Sequence, residues 1–268
     1  MLAACTGLAL LAAACTSGDD GIGAAFTGET STTSTRLAPT TTTTVPPTTV
    51  ATAPPPPPPP PPAPPVPPTG LTAGARGEVV RLLEQHLDAL RYDVGTVDDV
   101  YDRNTAFAVT AFQKVAGLPR TGKATPDVLN AMAVAQPPPP MVPGGGATRV
   151  EIDLGRQVLF LYQGDALHRV LPISSGTGKR YCAEGSCGIA TTPTGSFKIE
   201  RRIDGWRKSR LGRLYNPLYF HGGIAIHGYP SVPAQPASHG CVRIPMTASG
   251  WFPAMVPDGT PVYVLARA

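Results

Sequence analysis

A chain of 268 residues holds either one large domain or two small ones. Its 33 prolines and 29 glycines cluster rather than spread. Charge is divided unevenly too: residues 76–136 carry 7 Lys/Arg against 8 Asp/Glu, and residues 147–268 carry 14 against 7. A basic surface favours anionic partners in general. Aromatic–basic interleaving and nucleic-acid motifs are missing, which argues against a nucleic-acid partner.

In chain order, the first feature is an apolar run, "LAACTGLALLAAAC", that ends at Cys15 and gives way to polar "TSGDD". It is too short for a spanning helix, which needs about 20 apolar residues. It fits the hydrophobic core of an export signal, residues 1–15, ending in small residues. The segment resembles a bacterial lipoprotein signal, which implies lipidation of Cys15 and membrane contact only through that anchor. Cys5, within "LAAC", carries the same local pattern, and an ordinary cleaved signal is the alternative. Residues 16–75 are Thr- and Pro-rich, with nine consecutive prolines from Pro54 to Pro62. Such a stretch buries too little apolar surface to offset its ordering entropy and is expected to be a disordered linker. Extended at about 3.1 Å per residue, it reaches on the order of 150 Å.

Residues 76–136 are predicted to form a small three-helix bundle. In "EVVRLLEQHLDALRY", Val80, Leu83, Leu87 and Leu90 recur at helical spacing. In "NTAFAVTAFQKVAGLP", Thr105, Val109, Phe112 and Val115 do the same, until Gly117 and Pro119 stop the helix. "TPDVLNAMA" opens with Thr125 as N-cap and Pro126 at the first helical position. The pieces "VVRLLEQHLDALRY", "NTAFAVTAFQKVAGLPRTG" and "ATPDVL" make this module resemble the peptidoglycan-binding domain type 1, which implies peptidoglycan as its partner. A helical spacer with no ligand is the alternative. A Pro/Gly linker, residues 137–146, follows.

The second module, residues 147–268, is predicted to be mostly β and mostly antiparallel. "TRVEIDL", "QVLFLY" and "ALHRVLPI" are strands separated by turns at Gly155-Arg156 and Gly164-Asp165. "GSFKIE", "GIAIHG" and "TPVYVL" add more. In the first strand, Val150, Ile152 and Leu154 take one face and charged side chains the other. In "GIAIHGYP", alternation puts His227 off the core face, just before Gly228 and Pro230 end the pairing.

The loop "SVPAQPASHGCVR" holds Ser238, His239, Gly240 and Cys241. A thiol reacts as thiolate, and a free pKa near 8.5 leaves only a small fraction ionised at neutral pH, so a neighbouring base is needed. Backbone N–H groups around Gly240 and Cys241 suit an oxyanion, each such donor being worth about 3 kcal/mol of barrier. Cysteine usage points the same way. Cys5 and Cys15 lie in the export segment, and Cys182 and Cys187, in the loop "YCAEGSCG", are expected to pair. Cys241 is left over, the mark of a reactive thiol in an exported protein. His221 and His239 compete with His227 as base, while His86 and His168 are expected to face solvent.

Together "IHGYP…ASHGCVRIP", "VEIDLGRQVLFLY", "PISSGTG" and "TTPTGSFKI" resemble the L,D-transpeptidase catalytic domain of the YkuD type over essentially the whole second module. The resemblance implies Cys241 as nucleophile and His227 as general base, with the Gly228 carbonyl orienting the imidazole. It implies backbone amides of His239, Gly240 and Cys241 as the oxyanion hole, and Ser238 at the substrate. Arg243 is expected to hold a substrate carboxylate because of its charge. The implied reaction is acyl transfer between peptidoglycan stem peptides through a thioester, giving 3→3 cross-links in cell-wall biogenesis and cell-shape maintenance, outside the membrane. No metal or organic cofactor is called for. The basic segment "RRIDGWRKSRLGR" either steers anionic stems or is a solvated loop. Alternatives are an L,D-carboxypeptidase, a zinc peptidase using His221, His227, His239 and Cys241, and a non-catalytic wall-binding protein.

Overall fold

The structure, a computed structural model, describes Pro67 and residues 69–266. The export segment, Cys5, Cys15 and the proline run lie outside the described residues. No helix among the described residues is long and apolar enough to cross a membrane.

The helical module comprises α1 (Glu78–Ala89), α2 (Arg103–Ala116) and α3 (Pro126–Ala133). Val80, Leu83, Leu87 and Leu90 of the first repeat, and Thr105, Val109 and Phe112 of the second, are buried as the spacing requires. Asp102 caps α2, accepting from the amides of Asn104 (2.7 Å) and Thr105 (2.9 Å), a contribution of about 1 kcal/mol. Gly117 ends the helix in the left-handed region at φ 70°, which glycine adopts without a Cβ clash. Packed structure is present before residue 76. Leu71 pairs with Ala124 and packs with Ala75 against the helices.

The β module builds two sheets and a hairpin. In chain order its strands are β1 (Thr148–Asp153), β2 (Val158–Gln163), β3 (Ala166–Pro172), β4 (Arg180–Ala183), β5 (Ser186–Ile189) and β6 (Gly195–Lys198). These are followed by β7 (Arg201–Arg202), β8 (Trp206–Ser209), β9 (Gly212–His221), β10 (Ile224–Gly228), β11 (Val242–Ile244) and β12 (Pro261–Leu265). The first sheet runs β3-β2-β1-β12-β6 and the second β11-β10-β9-β7, with β8 added on β9. Most pairs are antiparallel; β1–β12 and β10–β11 are parallel. The supposed loop at Cys182 and Cys187 is the hairpin β4–β5, closed by their disulfide.

Alternation along the strands sorts the cores. Val150, Ile152, Leu159, Leu161 and Leu171 meet Leu218, Phe220, Ile226, Val242 and Ile244 between the two sheets. The opposite face of the first sheet, through Val158, Phe160, Tyr162 and Val170, joins the core of the helical module. The molecule therefore stacks as helices, sheet, sheet. Each apolar side chain fully buried in these layers contributes about 1.5–3 kcal/mol.

Several expectations are corrected by this layering. The charged face of β1 is not solvated: Arg149, Glu151 and Asp153 are buried, and Arg149 Nε donates to Glu151 Oε1 at 2.7 Å. The Pro/Gly linker, residues 137–146, lies over that face, with Met141 at Glu151 and Gly145 and Gly146 at Arg149, so the charges pair rather than hydrate. The linker is thus bonded to the sheet. Met141 N donates to Glu151 Oε2 at 2.8 Å, and Tyr162 OH to Pro138 O at 3.3 Å. His86 is buried in the bundle with Nε2 3.0 Å from Met132 O. His168 is half-buried, edge-on to Trp251 at 6.0 Å between centroids. A further helix, α4 (Ala248–Met255), follows β11 and packs Phe252 into the inter-sheet core. With Gly250 and Pro253 inside it, its helix propensity is poor.

Candidate active site

The site lies on the outer face of the second sheet, opposite the inter-sheet core. In the parallel pair β10–β11, Ile226 is opposite Val242 and His227 opposite Arg243. Because Ile226, Val242 and Ile244 point into the core, His227 and Arg243 point outward. Cys241 shares the phase of Arg243 and packs with Ala225, Leu214 and Tyr219. His227, Ser238, His239, Cys241 and Arg243 all line one cleft of about 220 Å³, walled by residues 209–214 and by Tyr229. Sequence positions up to sixteen apart are thus gathered by two neighbouring strands and the loop between them.

Cys241 is the free cysteine among the described residues. Its thiol faces the Gly223 carbonyl at 3.7 Å. Burial pushes its pKa up, while a backbone hydrogen bond at Ala225 and the charge of Arg243 pull it back. His227 is 4 % exposed. Burial holds its pKa down to about 4, opposed by the Gly228 carbonyl and assisted by Arg243. Nδ1 lies 3.0 Å from Gly228 O. A carbonyl only accepts, so Nδ1 carries the hydrogen and Nε2 is left with its lone pair. Both shifts favour the uncharged forms of a thiol and an imidazole that line the same cleft.

Glycine is required at two positions. At Gly240 φ is 139°, and a Cβ would come within 2.8 Å of Ile224 Cδ1 and 2.9 Å of Thr191 O. At Gly228 a Cβ would run into the Ser249 side chain. The cysteine loop is pinned from inside. Ser238 Oγ donates to Cys241 O at 2.5 Å and accepts from Gly240 N at 3.0 Å. Thr192 Oγ1 donates to Gly240 O at 2.6 Å and accepts from Gly176 N at 2.9 Å.

These bonds change two expected roles. Ser238 is buried and its hydroxyl is committed within the loop rather than presented to a substrate. The Gly240 amide, expected to face an oxyanion, is taken by that hydroxyl. His239 is exposed at the rim, with its ring edge-on to Tyr181 at 4.8 Å. Arg243 stacks over Tyr229 with its guanidinium carbon 4.2 Å from the ring centroid. His221 is exposed against Phe197 instead of facing the cleft. Among the described residues, no group of three or more His, Cys, Asp or Glu is placed to hold a metal ion.

Some contributors carried no signal in the sequence. Tyr181 comes from a distant segment with nothing in its neighbourhood to tie it to Cys241, while Thr192 lies within "TTPTGSFKI", whose resemblance gave it no role of its own. The basic segment is a strand β7 and a hairpin β8–β9, not a loop, and its tip supplies Ser209, Arg210, Leu211 and Arg213 to the cleft wall. Arg201 and Arg213 are occupied in part by ring stacking, over Tyr219 at 4.0 Å and Trp206 at 4.3 Å.

The molecule carries a helical bundle on a two-sheet module, with a free thiol and a buried imidazole on the outer sheet face. Residues 147–264 match the L,D-transpeptidase catalytic domain, and residues 76–132 match the putative peptidoglycan binding domain. The chain is 38 % identical to an L,D-transpeptidase from Xylanimonas cellulosilytica, over 75 % of this chain and 100 % of that one, with a TM-score of 0.71. It belongs to the L,D-transpeptidase family. An L,D-transpeptidase from Stackebrandtia nassauensis is 23 % identical over 75 % of this chain and 98 % of that one, with a TM-score of 0.44. One from Mycobacterium smegmatis is 21 % identical over 45 % and 59 %, with a TM-score of 0.39. No curated protein matches the chain.

Proposed function

We propose that the chain forms 3→3 peptidoglycan cross-links by cysteine acyl transfer, outside the cytoplasmic membrane, in cell-wall biogenesis and the maintenance of cell shape. The observation that supports this is the register of β10 and β11, which puts the free thiol of Cys241 and the desolvated imidazole of His227 on one face of one cleft.

His227 Nε2 takes the thiol proton as Cys241 Sγ bonds to the carbonyl carbon of the third residue in a tetrapeptide stem. Concerted transfer fits a pair that is neutral at rest, because neither group must be charged and buried before substrate arrives. The amides of His239 and Cys241 face the oxyanion, and Gly240 joins them only if Ser238 lets its N–H go. The bond to the terminal D-alanine breaks, its amine leaves with the proton from His227, and a thioester remains. The side-chain amine of a second stem attacks that thioester, passes a proton to His227 and releases Cys241 Sγ, which is reprotonated. Arg243, held flat by Tyr229, binds a stem carboxylate. The helical module holds the enzyme on the polymer and raises local substrate concentration. The Cys15 signal and the Thr/Pro arm would anchor the enzyme by a lipid and let it search the wall.

Intact-mass analysis after incubation with a β-lactam-type acylating probe tests the proposal. One adduct on the wild type and none on Cys241→Ala is the expected result; no adduct on either refutes catalysis. Mass analysis of muropeptides then separates cross-linked dimers from trimmed tripeptides, the latter identifying an L,D-carboxypeptidase.

A further inference from the structure

Lys114 plays no part in the chemistry above, yet it is 2 % exposed, at the seam between the helical and β modules. Among the described residues its ammonium meets two carbonyls and no carboxylate: Nζ donates to Gln157 O at 2.9 Å and to Ile173 O at 2.8 Å. Burying an ammonium without a counter-charge is costly, and an apolar side chain would fill the same space more cheaply. Burial pushes its pKa down to about 7, with the Arg120 charge acting in the same direction. What an apolar replacement would not supply is a grip on those two carbonyls.

Both carbonyls belong to the support of the cysteine loop. Gln157 sits in the left-handed region at φ 64°, a conformation that a non-glycine residue holds only when its surroundings impose it. Its side chain accepts from Ser175 N at 2.9 Å and donates to Ser175 Oγ at 2.7 Å. Ile173 begins the segment leaving β3, and its own amide donates to Gln157 O at 2.9 Å. That segment is what the cysteine loop lies on. Ser174 and Arg243 exchange backbone bonds of 3.1 Å, and Ser174 Oγ donates to Gln235 O at 2.8 Å. Ser175 O accepts from the amides of Ala237 (3.0 Å) and Ser238 (2.9 Å), and Ser238 O accepts from Thr177 N at 3.1 Å. Ser238 in turn fixes Cys241. An unbroken run of bonds leads from helix α2 to the loop bearing the nucleophile. Arg120, from the same module, adds a second tether, donating to Gly155 O and Ala234 O at 3.3 Å each.

We infer that the helical module is part of the scaffold of the catalytic centre, with Lys114 as a positioning residue. By clamping the Gln157 and Ile173 carbonyls it sets the 174–177 segment against which Ser238 and Cys241 are held. The module is then more than a tether to the wall, since the β module without it would carry its cysteine on a loosened loop. The rate readout rests on Cys241 being the reacting group, as proposed above; the exchange readout does not.

The purified chain and Lys114→Met are compared in two measurements. Acylation of Cys241 by the β-lactam-type probe should slow about ten- to hundredfold. Hydrogen exchange at amides 174–177 and 237–241 should accelerate, while amides of α1 and α3 keep wild-type protection. In a double-mutant cycle with Ser238→Ala, the combined rate loss should be smaller than the product of the single losses, since both act on one loop. Lys114→Met that folds and keeps wild-type exchange at those amides overturns the inference, as do rate losses that multiply independently. Should Lys114→Met fail to fold, Gln157→Leu removes the next link from the sheet side, with the same expectations and the same refutations. If the wild type is not acylated at all, the catalytic reading fails, and exchange alone decides the role of Lys114.

Discussion

Acylation of Cys241 should survive acidification well past the point where an ordinary histidine is protonated. His227 is buried on the outer sheet face, and loss of hydration lowers its pKa from 6.5 to about 4, with the Gly228 carbonyl resisting and Arg243 assisting. A base titrating near 4 is still about 97 % neutral at pH 5.5, whereas one titrating at 6.5 is about 10 % neutral there. The two cases differ by about tenfold in rate at that pH. The same displacement enters stability. The imidazole binds protons more weakly in the folded state than in the unfolded, so the unfolded state holds more protons between pH 4 and 6.5, and stability rises with pH across that window. Above 6.5 the site costs nothing through protonation. As pH falls from 6.5 to 4 the loss grows to roughly 3 kcal/mol. Rapid-quench acylation rates from pH 3.5 to 8 at constant ionic strength test this, with circular dichroism showing where the fold is intact. Half-maximal rate should fall between pH 4 and 5 in folded protein. A half-point at pH 6 to 7 would refute the desolvated imidazole and indicate a hydrated one with its ordinary pKa.

Two substitutions test how the cysteine loop is held. Gly240→Ala adds a Cβ at a left-handed residue, against Ile224 and the Thr191 carbonyl; acylation should fall about a hundredfold, and wild-type rates in this variant would refute the steric account. Thr192→Val keeps shape but leaves the Gly240 carbonyl and the Gly176 amide without their buried partner. Urea unfolding should show a loss of about 2–4 kcal/mol, whereas a loss under 0.5 would mean that neither bond matters in solution.

Much of the candidate site was legible in local sequence. The helix faces follow from spacing and caps, which act within one turn. His227 follows from alternation along one strand, and Cys241 from being the cysteine left after the others are assigned. Ser238 was misjudged because a hydroxyl in a signature gives no hint of whether it points out to a ligand or back into its own loop. The poor propensity of α4 hid it, since its formation depends on Phe252 reaching a core made by other strands.

By itself, the sequence determined which side of α1, α2 and β10 is apolar and where the turns between the first three strands fall, because these depend on neighbours a few residues away. It could not determine what covers the polar side. "VEID" reads as a half-solvated strand, yet the 137–146 linker closes over Glu151 and Arg149, which are buried as a pair. Lys114 lies between Phe112 and Val115 of the apolar face with no local sign of a partner, yet it ends against carbonyls 43 and 59 residues further on. Tertiary packing alone decided these environments, because burial and the satisfaction of a charge depend on which distant backbone arrives beside it.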